Sequence, residues 1–122
     1  MPGENILIVD DEPTICIGQE RELSWANYHV DTVSDGAEAL EIARQKKYDL
    51  ALIDKCMPGM DGIQTCREIK KISPDLIVIL ITGGHAIPEV EFLAAGGRIC
   101  ISKPFLQGEV LEAVQKALGE KK

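Results

Sequence analysis

Five short apolar runs, at residues 6–9, 28–33, 50–53, 76–81 and 99–101, recur along the chain with intervals of helical length between them. The runs at 6–9, 50–53 and 76–81 are continuous and rich in Ile, Leu and Val, as strands are when helices cover both faces of a parallel sheet. The run at 28–33 alternates instead, which predicts an edge strand. The intervals carry helix signals. Pro13 follows an acidic pair, Asp35 stands three residues before Glu38 in a capping arrangement, and a short interval from Pro88 to Gly96 opens on proline. Val110, Leu111, Val114, Ala117 and Leu118 form the cleanest helical stripe of the chain. The first helix is the least regular, because Gly18 lies inside it and Gln19, Glu20 and Arg21 interrupt its apolar face. Strands alternating with helices along the full length predict an α/β fold. It is a (βα)5, doubly wound, five-stranded parallel sheet in a three-layer α/β/α sandwich.

A chain of 122 residues makes one domain, 1–122, with a core large enough to need no disulfides. Its 13 Lys plus Arg against 20 Asp plus Glu leave a net charge of −7, which disfavours nucleic acid and anionic membranes alike. Cys16, Cys56, Cys66 and Cys100 show no CxxC spacing, so neither a zinc site nor a disulfide framework is expected. A reducing cytoplasm suits them. No apolar run approaches a membrane span and no export signal opens the chain. A stand-alone unit and a domain of a longer regulator are equally compatible with this pattern.

In doubly wound sheets, ligands bind beyond the carboxyl ends of the strands. Those ends hold Asp10 and Asp11 after the first strand, Asp54 closing the third, Thr82 closing the fourth and Lys103 just past the fifth. Carboxylates crowded at neighbouring strand ends repel one another unless a cation compensates them, and Mg2+ prefers such oxygen ligands. Phosphate chemistry follows as the leading idea. Asp54 is placed to attack a phosphoryl group and form an acyl phosphate, with Lys103 offsetting oxygen charge and the Thr82 hydroxyl donating to the new group.

These residues resemble a response-regulator receiver domain of two-component signalling, of the chemotaxis-regulator type, and the likeness spans nearly the whole chain. The carriers are Asp10-Asp11-Glu12, the run from Asp54 through Met57-Pro58-Gly59-Met60-Asp61-Gly62, Thr82-Gly83 and Lys103-Pro104-Phe105. The resemblance implies the flavodoxin-like strand order 2-1-3-4-5. It implies Asp54 as phosphoacceptor, Asp11 as a direct Mg2+ ligand, Asp10 acting through metal-bound water, and Cys56 contributing its backbone carbonyl. Thr82 and Lys103 become the phosphate-contacting pair, with a cis Lys103-Pro104 bond. The implied partner is a sensor histidine kinase or phosphotransfer protein, and a phosphorylation-dependent homodimer is compatible with the reading.

Each residue alone has a plainer explanation: an Asp-Asp pair is often a solvated loop or helix cap, and a lone lysine a surface charge. The set carries the inference. Gly83-Gly84 and Gly96-Gly97 lack the spacing of phosphate-binding fingerprints and read as turns and helix stops. His29 and His85 have no third partner for a metal, and Lys46-Lys47, Lys70-Lys71 and Lys121-Lys122 read as helix-end charges. Departures from the family pattern are also present. Cys100 stands three before Lys103, where receivers commonly carry an aromatic residue or His. Cys56 and Gly84 lack the carboxylate or amide that orients water in other receivers. Without a second carboxylate at residue 56, an enzyme with an aspartyl-phosphate intermediate is disfavoured. A phosphate-independent interaction module with the same fold is the alternative.

Overall fold

The computed structural model describes residues 3–54, 61–82, 89–102 and 108–121, with side chains described except at 13–16, 89–91, 102 and 120–121. Strands and helices alternate as β1 (Asn5–Val9), α1 (Pro13–Trp25), β2 (His29–Val33), α2 (Gly36–Gln45), β3 (Leu50–Asp54), α3 (Gly62–Ile72), β4 (Ile77–Thr82), α4 (Glu89–Ala94), β5 (Ile99–Ser102) and α5 (Glu109–Lys121). The five strands are parallel in the order β2-β1-β3-β4-β5, as the resemblance implies. Val9 is level with Val33 and with Ile53, Asp54 with Ile81, and Thr82 with Ser102. All five carboxyl ends therefore reach one rim of the sheet.

The continuous apolar runs exist because both faces of the central strands are covered. Leu7, Val9, Ala51 and Ile53 point into one core with Ala39 of α2, Ile63 and Ile69 of α3, and Phe92 of α4. Ile6, Ile8, Leu50 and Leu52 point into the other with Leu23 of α1 and Val110, Val114 and Leu118 of α5. Successive strand residues thus serve opposite layers. β2 pairs on one side only, and its side chains are at most half-buried, which is what its alternating sequence anticipates.

Helix ends follow local chemistry. Asp35 Oδ1 accepts the Glu38 N–H at 2.8 Å, and Glu38 Oε1 accepts the Ser34 N–H at 2.8 Å and its hydroxyl at 3.0 Å. The reciprocal bond of the capping box therefore lands one residue earlier than the spacing predicts. Asp61 caps α3 in the same way through Gln64 N–H at 2.8 Å. Asn27, at φ 72°, ends α1, and Gly96, at φ 98°, ends α4, each as the left-handed residue of a six-to-one closure. α1 accommodates Gly18. Its amphipathicity is weak because apolar residues point both ways: Leu23 is buried, Ile17 is half exposed and Trp25 is 90% exposed. No helix of the described residues is long and apolar enough to cross a membrane.

Two of the helix-end lysines do more than complement a dipole. Lys70 Nζ donates to the carbonyls of Pro74 and Leu76, both at 2.7 Å, and so holds the α3–β4 connection. Lys46 Nζ pairs with Asp31 Oδ2 of β2 at 2.7 Å.

Candidate functional site

The rim formed by the strand ends gathers the acidic residues. The Asp10 N–H donates to Val33 O at 3.1 Å, prolonging the β1–β2 ladder by one residue. Asp10 Oδ1 then accepts the Glu12 N–H at 2.9 Å, a short turn that leads into Pro13 and fixes how the carboxylate faces the rim. Asp54, last residue of β3, stands on the neighbouring strand. Asp10 and Asp54 are only 3% and 5% exposed, whereas Asp11 is open to solvent.

Carboxylate oxygens of Asp10, Asp11 and Asp54 lie within 4.8 Å of one another. Three negative groups this close, two of them buried, repel strongly in their ionised forms, and a hard cation removes that cost while accepting their oxygens as ligands. The donor set is all oxygen, which fits Mg2+ and not a thiophilic metal. Thr82 closes β4 on the other side of Asp54. It is buried, and its Oγ1 has no hydrogen-bond partner among the described residues. A buried hydroxyl left in that condition is costly, so a ligand oxygen at the rim would be accepted readily.

A groove of about 360 Å³ opens from Asp10 and Asp11 toward Ile17, Thr32 and Val33. A larger cavity of about 770 Å³ lies at the opposite end of the sheet, where Lys70 is already satisfied by two carbonyls. The chemistry follows the carboxylates, not the volume. Lys103, Cys56, the Lys103-Pro104 bond, Gly83-Gly84 and His85 lie outside the described residues. His29 is exposed on the edge strand, and Cys66 packs as a buried thiol.

Some features of α1 have no signal in a linear reading. Glu22 of α1 accepts the N–H of Gly108 at 3.1 Å, so α1 holds the chain where α5 begins, 86 residues later. Gln19 lies buried with neither amide atom hydrogen-bonded among the described residues.

Known proteins share this fold. Residues 6–115 match the family model described as the response regulator receiver domain. The response regulator MprA of Mycobacterium leprae is 33% identical over 114 residues, which cover 93% of this chain and 50% of that protein. The chain thus spans about half the length of the curated relatives it matches. A CheY-like response regulator receiver domain protein from Methanospirillum hungatei superposes with a TM-score of 0.92 at 30% identity, covering 98% of this chain and 96% of that one. The response regulator TrrA from Thermotoga maritima, solved in complex with Mg2+ and BeF, gives a TM-score of 0.83 at 33% identity, covering 94% and 98%.

Proposed function

Because this chain belongs to the response regulator receiver domain family, we propose that it is a phosphorylation-controlled switch whose acceptor is Asp54. The observation that carries the reading is the convergence of the Asp10, Asp11 and Asp54 carboxylates within 4.8 Å at the strand ends. The donor is a sensor histidine kinase or phosphotransfer protein. An Asp54 carboxylate oxygen attacks the phosphorus, the P–N bond of the phosphohistidine breaks, and the leaving imidazole nitrogen takes up a proton. The product is an aspartyl phosphate.

Asp10, Asp11, Asp54 and the Cys56 backbone carbonyl are the residues that would hold Mg2+. When bound, the ion neutralises charge on the transferred oxygens. Thr82 Oγ1 donates to one phosphoryl oxygen and Lys103 offsets the charge of another. The chain turns over no external substrate in this reading. It acts in the reducing cytoplasm, consistent with Cys66 and Cys100 standing as thiols and not as a disulfide. Phosphorylation-dependent homodimerisation is part of the proposal, with light scattering before and after phosphorylation as its check.

The test is intact-protein mass after incubation with phosphoramidate or acetyl phosphate, with and without Mg2+, on the native chain and on Asp54→Asn. One phosphoryl addition that requires both Mg2+ and Asp54 is the expected result. No adduct under rapid acid quenching, together with no binding of beryllium fluoride, moves the assignment to a phosphate-independent interaction module.

A further inference from the structure

The cavity of about 770 Å³ at the amino end of the sheet takes no part in the phosphoryl chemistry of the acidic rim. Three connections enclose it: Lys47 to Asp49 ahead of β3, Ser73 to Leu76 ahead of β4, and Arg98 ahead of β5. Its walls are fixed before any ligand arrives. The Asp49 N–H donates to Asn5 O at 2.8 Å, and Asp49 Oδ2 accepts the Asn5 N–H at 2.8 Å. The Ile77 N–H donates to Asp49 O at 3.2 Å and the Arg98 N–H to Val78 O at 2.9 Å, so all three connections are tied to the sheet. Lys70 closes the middle one through the carbonyls of Pro74 and Leu76. A pocket preformed in this way loses little order on binding, and its volume lies within the roughly 300–1,000 Å³ that small-molecule sites occupy.

The lining combines an apolar body with charge. Tyr48, Leu76 and Ile77 are buried and contribute to the wall, with Ile72 and Pro74 beside them. Around these stand three cations, Lys47, Lys70 and Arg98, against two carboxylates, Asp49 and Asp75. The cavity is therefore positive in a chain whose net charge is −7. Lys47 is exposed and makes no hydrogen bond or ion pair among the described residues. Lys70 bonds to neutral carbonyls, which satisfy its donors without neutralising its charge. An anionic group that enters between these two lysines meets two ammonium charges that have no carboxylate partner. Its apolar remainder meets the wall of Tyr48, Ile72 and Leu76.

We propose that this cavity is a second binding site, for a small organic carboxylate with an apolar or aromatic body. Lys47 and Lys70 receive the carboxylate, and the wall receives the body. The site stands whether or not Asp54 is the phosphoacceptor, because the acidic rim lies at the opposite end of the sheet.

Three probes at neutral pH separate the two halves of the proposal: 3-phenylpropionate, which has both parts, propionate, which has the head alone, and 3-phenylpropylamine, which places a cation on the same body. Each is titrated into the native chain and followed by amide chemical shifts. Saturable shifts with 3-phenylpropionate are expected at residues 47–49, 72–77 and 98, with a dissociation constant of about 1 mM. Propionate and the amine should bind there at least about tenfold more weakly. Lys47→Gln should weaken 3-phenylpropionate at least about fivefold, and Lys47→Arg, which keeps the charge, should stay within about twofold of the native chain. Lys47 is exposed, so both variants are expected to fold, as unchanged shifts in β1 and α5 would verify.

Shifts that rise linearly without saturation, or that spread evenly over the chain, mean an adventitious additive only and overturn the site. Equal binding of the amine overturns the anionic class of the ligand, and equal binding of propionate overturns the role of the apolar wall. Native affinity in Lys47→Gln overturns the lysine pair as the carboxylate's seat.

Discussion

The phenol of Tyr48 donates a 2.6 Å hydrogen bond to Asp31 Oδ2, the same oxygen that pairs with Lys46 Nζ at 2.7 Å. One carboxylate on the edge strand β2 thereby holds two donors from the connection between α2 and β3. The Lys46 ammonium also lies 5.3 Å from the Tyr48 ring centroid. The bond from Lys46, then the one from Tyr48, holds the Asp31 carboxyl below the usual carboxylate range. Burial, then the bond to Asp31, raises the Tyr48 phenol well above its ordinary value.

This cluster gives stability a defined pH dependence. Because folding lowers the Asp31 pKa, its contribution is complete above the ordinary carboxylate range and is lost as pH falls through the folded value. Tyr48→Phe and Asp31→Asn each cost about 1 kcal/mol near neutral pH, the Asp31 figure being held to the scale of a largely solvated ion pair. Urea denaturation should show the Asp31→Asn deficit shrinking below about pH 4. A deficit that stays constant down to pH 2 would refute the assignment.

The proposed ion site at the acidic rim carries an expected cost in stability when no cation is bound. Without divalent cations, Asp10→Asn relieves repulsion with Asp11 and Asp54 and raises stability by about 1 kcal/mol. If the rim is the ion's site, Mg2+ at ten times its dissociation constant should stabilise the native chain by about 1.4 kcal/mol, and chelation should reverse this. Thermal scans in Mg2+ and in chelator check both; a Mg2+ response undiminished in Asp10→Asn counts against the rim as the ion's site.

Gln19 is 5% exposed, and neither atom of its amide has a hydrogen-bond partner among the described residues. Replacement by methionine, similar in length and without the amide, should stabilise the fold by about 1–2 kcal/mol. The expected signature is a higher urea midpoint at an unchanged slope. A lower midpoint would show that the amide is satisfied in solution.

Gly97→Ala drives a methyl group into the Phe92 ring and should destabilise by about 1–3 kcal/mol. In a Phe92→Leu background the same change costs less, since the smaller side chain leaves space. A double-mutant cycle measures the coupling, and strict additivity would separate the two residues.

Much of this architecture can be read along the chain because each central strand is buried on both sides, which leaves continuous apolar runs at 6–9, 50–53 and 76–81. Edge position shows in the alternation of β2, and the rim shows because acidic residues directly follow or close apolar strands. Contacts that join distant segments leave no such trace. Glu22 resembles any helix-surface carboxylate until Gly108 is placed beside it. Gly96-Gly97 reads as a helix stop, and Gly96 does end α4, but the ring of Phe92 folding back over Gly97 has no periodic signature. Gln19 reads as an interruption of the apolar face of α1 yet is buried, while Trp25 on the same helix is exposed, and neither outcome shows in residue spacing.

That same Trp25 is the chain's single tryptophan, 90% exposed at the last turn of α1. Its indole is already bathed in water, so unfolding alters its fluorescence little and events at the acidic rim reach it only indirectly. A macromolecule settling on α1 would strip that water and shift the emission toward the blue. The native chain therefore carries an intrinsic optical reporter for α1 that is nearly blind to its own folding.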